Sequence, residues 1–222
     1  DVYKRQIYMN LHKLDLNEIR GYGRNKPFLM LVFAMGAYGI CGIPLWNGYV
    51  SKTLLHESIV EYIEVLGAQG ADALPFQVLE WAFLLAGGLT VAYMAKLFAA
   101  IFLEKAPMGR ERDDREKRYA GTAACFALGG SACLLPLMGM APHRIMDRMA
   151  DISRPFLRGA QVPHQVEYFS EVNLRGACIS ISIGILVYVL FIRRYLMETG
   201  EDGTRVYVDR WPVWLNLEDR VY

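Results

Sequence analysis

Residues 27–52 read PFLMLVFAMGAYGICGIPLWNGYVSK, a run of 25 uncharged residues that ends at Lys52. A helix of that length rises about 37 Å, which exceeds the ~30 Å hydrocarbon core of a bilayer. Three further apolar stretches follow along the chain. The sequence therefore predicts an all-α fold, a polytopic transmembrane helix bundle. The predicted crossings are about 27–66, 78–103, 119–142 and 174–192, within a single membrane domain of residues 1–222 that ends in a tail at 193–222.

The charged residues lie mainly between these crossings, and their distribution predicts an orientation. The net charge is only +1, from 24 basic and 23 acidic residues, so a nucleic-acid partner is not expected. Four crossings place residues 1–26, 104–118 and 193–222 on the same side of the membrane. That side holds 17 of the basic residues, and the other side holds five. By the positive-inside rule, we expect the three basic segments to be cytoplasmic.

Glycine and proline interrupt the first crossing, which predicts one discontinuous helix. The predicted break is formed by Gly39, Gly42, Pro44 and Gly48, because glycine has a low helix propensity and proline lacks a backbone donor. Residues 27–38 rise about 18 Å as a helix, so the break falls near the middle of the bilayer. Irregular backbone is stable at that depth only against protein or a water-filled cavity.

Lys52 follows the break closely and is therefore expected near the same depth. An ammonium group there costs several kcal/mol unless it is paired, hydrated or deprotonated, and these are also the properties of a proton relay. In the alternative interpretation, the crossing is an ordinary kinked span and Lys52 extends to the interface. The chain would then be a structural membrane anchor without a transport role.

Three stretches resemble one family. Residues 42–52, GIPLWNGYVSK, resemble the G-x-P-x-x-x-G-F-x-S-K signature of the antiporter-like, proton-conducting subunits of respiratory complex I, membrane-bound hydrogenases and multisubunit cation/proton antiporters. Residues 16–27, LNEIRGYGRNKP, are similar to the lead-in to that signature, and residues 92–98, AYMAKLF, to a helix that follows it. Tyr49 stands where the family usually has Phe, and Lys96 where it usually has Arg.

The resemblance implies a function for the chain and a role for Lys52. It implies a proton-translocating subunit of an energy-converting membrane oxidoreductase complex, of the NADH or ferredoxin:quinone oxidoreductase or hydrogenase type. Lys52 corresponds to the family's proton-relay lysine on a broken helix. A sodium/proton antiporter subunit of a multisubunit cation antiporter is the alternative. The implied partners are the other membrane subunits of such a complex and the lipid bilayer of a prokaryotic inner membrane, and the implied transported ion is the proton, with sodium as the alternative.

Three further residues are secondary site candidates. His56 lies one helical turn after Lys52 on the same face and could pass protons, or it is simply a packed or surface histidine. Lys96 interrupts the second crossing and either reaches inward to a charge network or extends to the cytoplasmic face. Tyr93, about one turn before it, is a candidate to orient Lys96 or packs as an apolar residue.

The remaining features predict neither a cofactor site nor a second domain. The four cysteines lack C-x-x-C spacing, so no metal or iron-sulfur ligand set is expected, and redox cofactors are expected in partner subunits. Residues 143–157 alternate apolar and charged side chains at helical spacing, which predicts an amphipathic helix on the membrane surface. The sequence begins at Asp1 and not at a methionine, so we expect a C-terminal fragment of a longer protein, and the sequence leaves open whether residues 1–6 are native.

Overall fold

The computed structural model describes residues 11–12, 15–106, 120–157, 166–200, 205–208 and 210. It confirms the all-α helical membrane bundle. Residues 107–119, which make up most of the predicted 104–118 loop, lie outside the described residues, as do residues 1–6 and 211–222. The helices are α1 (Leu16–Ile19), α2 (Pro27–Cys41), α3 (Asn47–Ala68), α4 (Leu74–Phe98), α5 (Thr122–Met140), α6 (Pro142–Ser153) and α7 (Glu171–Leu186).

Two of the long helices end in wider π-helical turns, and a small hairpin follows the last one. Ala99–Leu103 continues α4, and Val187–Ile192 continues α7 into a last helical turn at Arg193–Tyr195. Strands β1 (Met197–Thr199) and β2 (Arg205–Tyr207) then pair antiparallel. The sequence predicted no strand in the tail, and these two are the only strands in the part of the chain that the structure describes.

The predicted discontinuous helix is confirmed as two helices, α2 and α3, separated by five residues. The break is narrower than predicted, because Gly39 lies in the last turn of α2 and Gly48 in the first turn of α3. Both glycines instead allow α2 and α3 to pack closely against each other. A Cβ atom on Gly48 would lie 1.8 Å from the carbonyl oxygen of Gly39, so the two half-helices touch through their backbones.

Among the described residues, three helical segments are long and apolar enough to cross a membrane: Leu74–Leu103, Thr122–Met140 and Glu171–Tyr195. Pro27–Cys41 is a shorter apolar helix. The α4 and α7 helices pack along each other, and the Ser180 hydroxyl donates to the Leu84 carbonyl at 3.0 Å between them. Large apolar side chains such as Phe126 and Leu137 are exposed on α5, as expected of a helix that faces lipid.

Each end of the bundle is closed by contacts between distant segments. At one end, the Asn17 amide donates to the Tyr207 carbonyl at 2.9 Å, and the Tyr207 hydroxyl donates to Glu104 at 3.0 Å. At the other end, the Tyr168 hydroxyl donates to Asp147 on α6. The first set joins the N-terminal segment, the end of α4 and the tail, which alternating crossings place on one side. That this side is cytoplasmic stays a prediction.

The α6 helix has the amphipathic character that the sequence predicted for residues 143–157. It ends in a 3-10 turn at Arg154–Leu157. Its apolar side chains Met149 and Ile152 are exposed, and Phe156 in the following turn is 85% exposed. A position along the membrane surface remains the prediction for this helix.

Candidate functional site

The break between α2 and α3 has a defined backbone conformation. Gly42 ends α2 with φ of 73°, in the left-handed region that glycine adopts without strain. Its N–H donates to the Gly39 carbonyl at 3.1 Å, and Pro44 has no N–H to satisfy. Leu45 also has a positive φ, 76°. The chain therefore turns sharply within five residues, and the Cys41 carbonyl at the end of α2 can accept from a side chain.

Lys52 supplies a donor to this end of α2. Its Nζ donates a hydrogen bond to the Cys41 carbonyl at 2.9 Å, so the side chain reaches back across the break. The carbonyl end of a helix carries partial negative charge, which favours a cation. Gly42 makes room for this, because a Cβ atom there would lie 2.6 Å from Cδ of Lys52. The partner of the lysine is thus a backbone carbonyl.

A small cavity adjoins Lys52 between α3, α4 and α7. Its volume is about 30 Å³. A cavity needs roughly 10–15 Å³ to hold one water molecule, so there is room for water beside the ammonium group. The lining combines apolar surface with polar groups, and it comprises Cys41, Gly42, Tyr49, Lys52, Thr53, His56, Phe83, Leu84, Gly87, Asn173, Gly176, Ala177 and Ser180.

His56 lines the same cavity and is buried, with 6% of its surface exposed. Its ring lies nearly parallel to the Phe83 ring, at an interplanar angle of 19° and a centroid distance of 6.2 Å. Its Nε2 lies 3.4 Å from Oε1 of Glu80 and makes no hydrogen bond within the described part of the chain. The structure therefore brings the two sequence candidates Lys52 and His56 together around one cavity.

Lys96 and Tyr93 are not among the residues that line this cavity. Nζ of Lys96 lies 4.9 Å from the centroid of the Tyr207 ring, at the end of the bundle where the tail hairpin docks. Tyr93 is 46% exposed. A role for Lys96 in a charge network or at the cytoplasmic face stays a prediction, as does an orienting role for Tyr93.

The Tyr207 ring that Lys96 contacts belongs to a second polar cluster, which the sequence did not indicate. Glu104 accepts from the Tyr207 hydroxyl, and burial raises the pKa of Glu104, while that hydrogen bond and the nearby Arg20 oppose the rise. Burial also raises the pKa of Tyr207, and the Glu104 charge adds to it. Arg20 is itself 4% exposed and donates to the Arg205 carbonyl. These contacts fix the hairpin to the bundle.

Among the described residues, no group of three or more His, Cys, Asp or Glu side chains could hold a metal ion. Cys41, Cys125, Cys133 and Cys178 are free thiols. The side chains that line the cavity supply amine, imidazole, amide, hydroxyl and thiol groups. Amine and imidazole groups accept and release protons.

The fold and the cavity define a membrane helix bundle in which a broken helix presents a half-buried lysine to a space that can hold water. Over 139 residues the chain is 27% identical to a protein described as NADH-quinone oxidoreductase subunit N, from Mycobacteroides abscessus. The match covers 63% of this chain and 23% of that protein, so the chain spans about a quarter of its relative's length. No family model and no solved structure matches the chain.

Proposed function

We propose that the chain is part of a proton-translocating, antiporter-like subunit of a respiratory membrane complex, and that Lys52 carries the proton. The observation that carries this proposal is the position of Nζ of Lys52, 2.9 Å from the Cys41 carbonyl beside a cavity with room for water. The similarity to NADH-quinone oxidoreductase subunit N supports the respiratory setting. The partners are then the other membrane subunits of that complex, and the location is the cell membrane.

The proposed mechanism uses the two states of the lysine amine. The ammonium form donates to the Cys41 carbonyl, and the carbonyl end of α2 stabilises its charge. Loss of a proton to cavity water leaves a neutral amine, which a nonpolar surrounding tolerates better. A change of charge or hydration near the cavity would shift the balance between these forms and so move the proton onward.

The test uses the full-length protein in its native complex, reconstituted into vesicles and driven by NADH and a quinone. We expect a proton gradient to form in sodium-free buffer and to collapse with a protonophore. Ion movement only when sodium is present would support the sodium/proton antiporter alternative instead. Electron transfer without any ion movement would contradict the proposal. It would favour the alternative in which the chain is a structural membrane anchor without a transport role.

A further inference from the structure

One residue that lines the cavity beside Lys52, His56, has a ring nitrogen that faces a carboxylate. Nε2 of His56 is buried and makes no hydrogen bond to any residue that the structure describes, and Oε1 of Glu80 lies 3.4 Å away. The Glu80 side chain is 29% exposed, whereas that of His56 is 8% exposed. The pair therefore joins a cavity in the bundle to a more open position on α4.

The surroundings of His56 hold its ring in this orientation. The Phe83 ring stacks on one face. On α7, Gly176 is so close that a Cβ atom there would lie 2.9 Å from Cε1 of His56. Glu80 and Phe83 are three residues apart on α4 and so lie on one face of that helix. Three helices thus hold the imidazole, in its resting position, between the cavity and the carboxylate.

Glu80 lies close to one end of the bundle. It is six residues after Leu74, the start of α4, which corresponds to about 9 Å of helix. This is the end opposite to the tail hairpin. A proton that reaches Glu80 therefore has a short path to the surface on that side.

We infer that His56 and Glu80 form the exit path for the proton that Lys52 releases. This inference rests on the proposed function. The Lys52 ammonium gives a proton to a cavity water, which passes a proton to Nδ1 of His56. The Nε2–H bond breaks as an O–H bond forms on Glu80, and the carboxylic acid then loses its proton to water at the surface. The imidazole is left with its proton on Nδ1. A transient rotation of the ring, in which Nε2 takes a proton from cavity water and Nδ1 loses one to it, restores the first tautomer, and no electron is transferred.

The distance of 3.4 Å exceeds a normal N–H···O hydrogen bond by a few tenths of an ångström. A small side-chain movement closes this gap, and hydrogen bonds that carry protons in catalysis are often longer in the resting state. Glu57 is another carboxylate in this region. It accepts at 2.9 Å from the amide of Asn173, a cavity-lining residue, and so already has a partner.

The test replaces Glu80 in the full-length protein within its complex and measures the initial rate of NADH-driven proton pumping. We expect Glu80→Gln to pump at least about tenfold more slowly, because its amide cannot carry a proton. Azide, a small weak acid that can reach the partly exposed site, should restore pumping. The matched control is Glu64→Gln, an exposed position on α3 that should pump normally.

The outcomes separate this inference from the proposed function. Normal pumping by Glu80→Gln, with pumping lost in Lys52→Met, would overturn the exit path and leave the proposed function standing. Normal pumping by Lys52→Met would overturn both. A loss in Glu80→Gln that azide does not restore would also overturn the exit path, because it indicates a structural role. If the Glu80→Gln complex fails to assemble, the His56→Gln variant replaces it in the test, and added imidazole replaces azide as the compound expected to restore pumping. Normal pumping by His56→Gln would overturn the inference.

Discussion

Gly48→Ala is expected to prevent stable assembly of the protein. The added Cβ atom would lie 1.8 Å from the carbonyl oxygen of Gly39, and the obstacle is backbone, which cannot rotate away. The half-helices α2 and α3 would have to separate, at a cost of about 3 kcal/mol, the upper end of the usual range for overpacking. The amount of assembled complex in membranes and its thermal stability in detergent measure the effect.

Gly67→Ala is the matched control, since it makes the same change in the same helix. Outside its own stretch of helix, no described atom lies within 4 Å of a Cβ built on Gly67. Alanine there should leave assembly unchanged or stabilise α3 by roughly 0.5–1 kcal/mol. Equal assembly of the two variants would show that the contact between Gly48 and Gly39 does not hold the break together.

Lys52→Met is expected to abolish proton pumping while the complex still assembles. Methionine has a similar length and fits an apolar surrounding, so packing is kept, and the loss of a donor to the Cys41 carbonyl costs about 1–3 kcal/mol. Pumping should fall because no group at this position can hold a proton. Proton movement and electron transfer are measured together in reconstituted vesicles.

The control for Lys52→Met is Lys105→Met, which removes a lysine that is exposed and does not line the cavity. That variant should pump at the normal rate. A similar fall in both variants would mean that the general loss of positive charge, rather than the position of Lys52, causes the effect.

The helix break and the closeness of Lys52 to it could be predicted because both depend on local sequence. Low helix propensity at Gly42 and Pro44 interrupts an apolar run whatever surrounds it. The shared face of Lys52 and His56 follows from their spacing of four residues. Spacing and composition, together with the family resemblance of residues 42–52, therefore indicated the two α3 residues Lys52 and His56 of the cavity.

The partners across the cavity could not be predicted, because they come from other helices. Glu80 stands next to the apolar run of α4 and resembles an ordinary interfacial charge in the sequence. That it faces His56 depends on how α3 and α4 pack, which a single sequence does not reveal. The Cys41 carbonyl was missed for a different reason: a backbone group carries no signal in the side-chain pattern.

The contact of Lys96 was left open by the sequence for a similar reason. In the structure, Nζ of Lys96 lies over the ring of Tyr207, which belongs to a hairpin about 110 residues further along the chain. Short strands in a polar tail give little periodicity to recognise. The docking of that hairpin through Asn17 and Glu104 is a tertiary feature that only the structure shows.

The most direct test of Lys52 as a proton carrier is the number of protons pumped per electron pair in the Lys52→Arg variant of the full-length complex. Arginine keeps the positive charge and can donate to the Cys41 carbonyl, but it does not release its proton in proteins. We expect an assembled complex with normal electron transfer and a proton ratio as low as that of Lys52→Met. A ratio equal to that of the unmodified complex would contradict a proton-carrying role for Lys52.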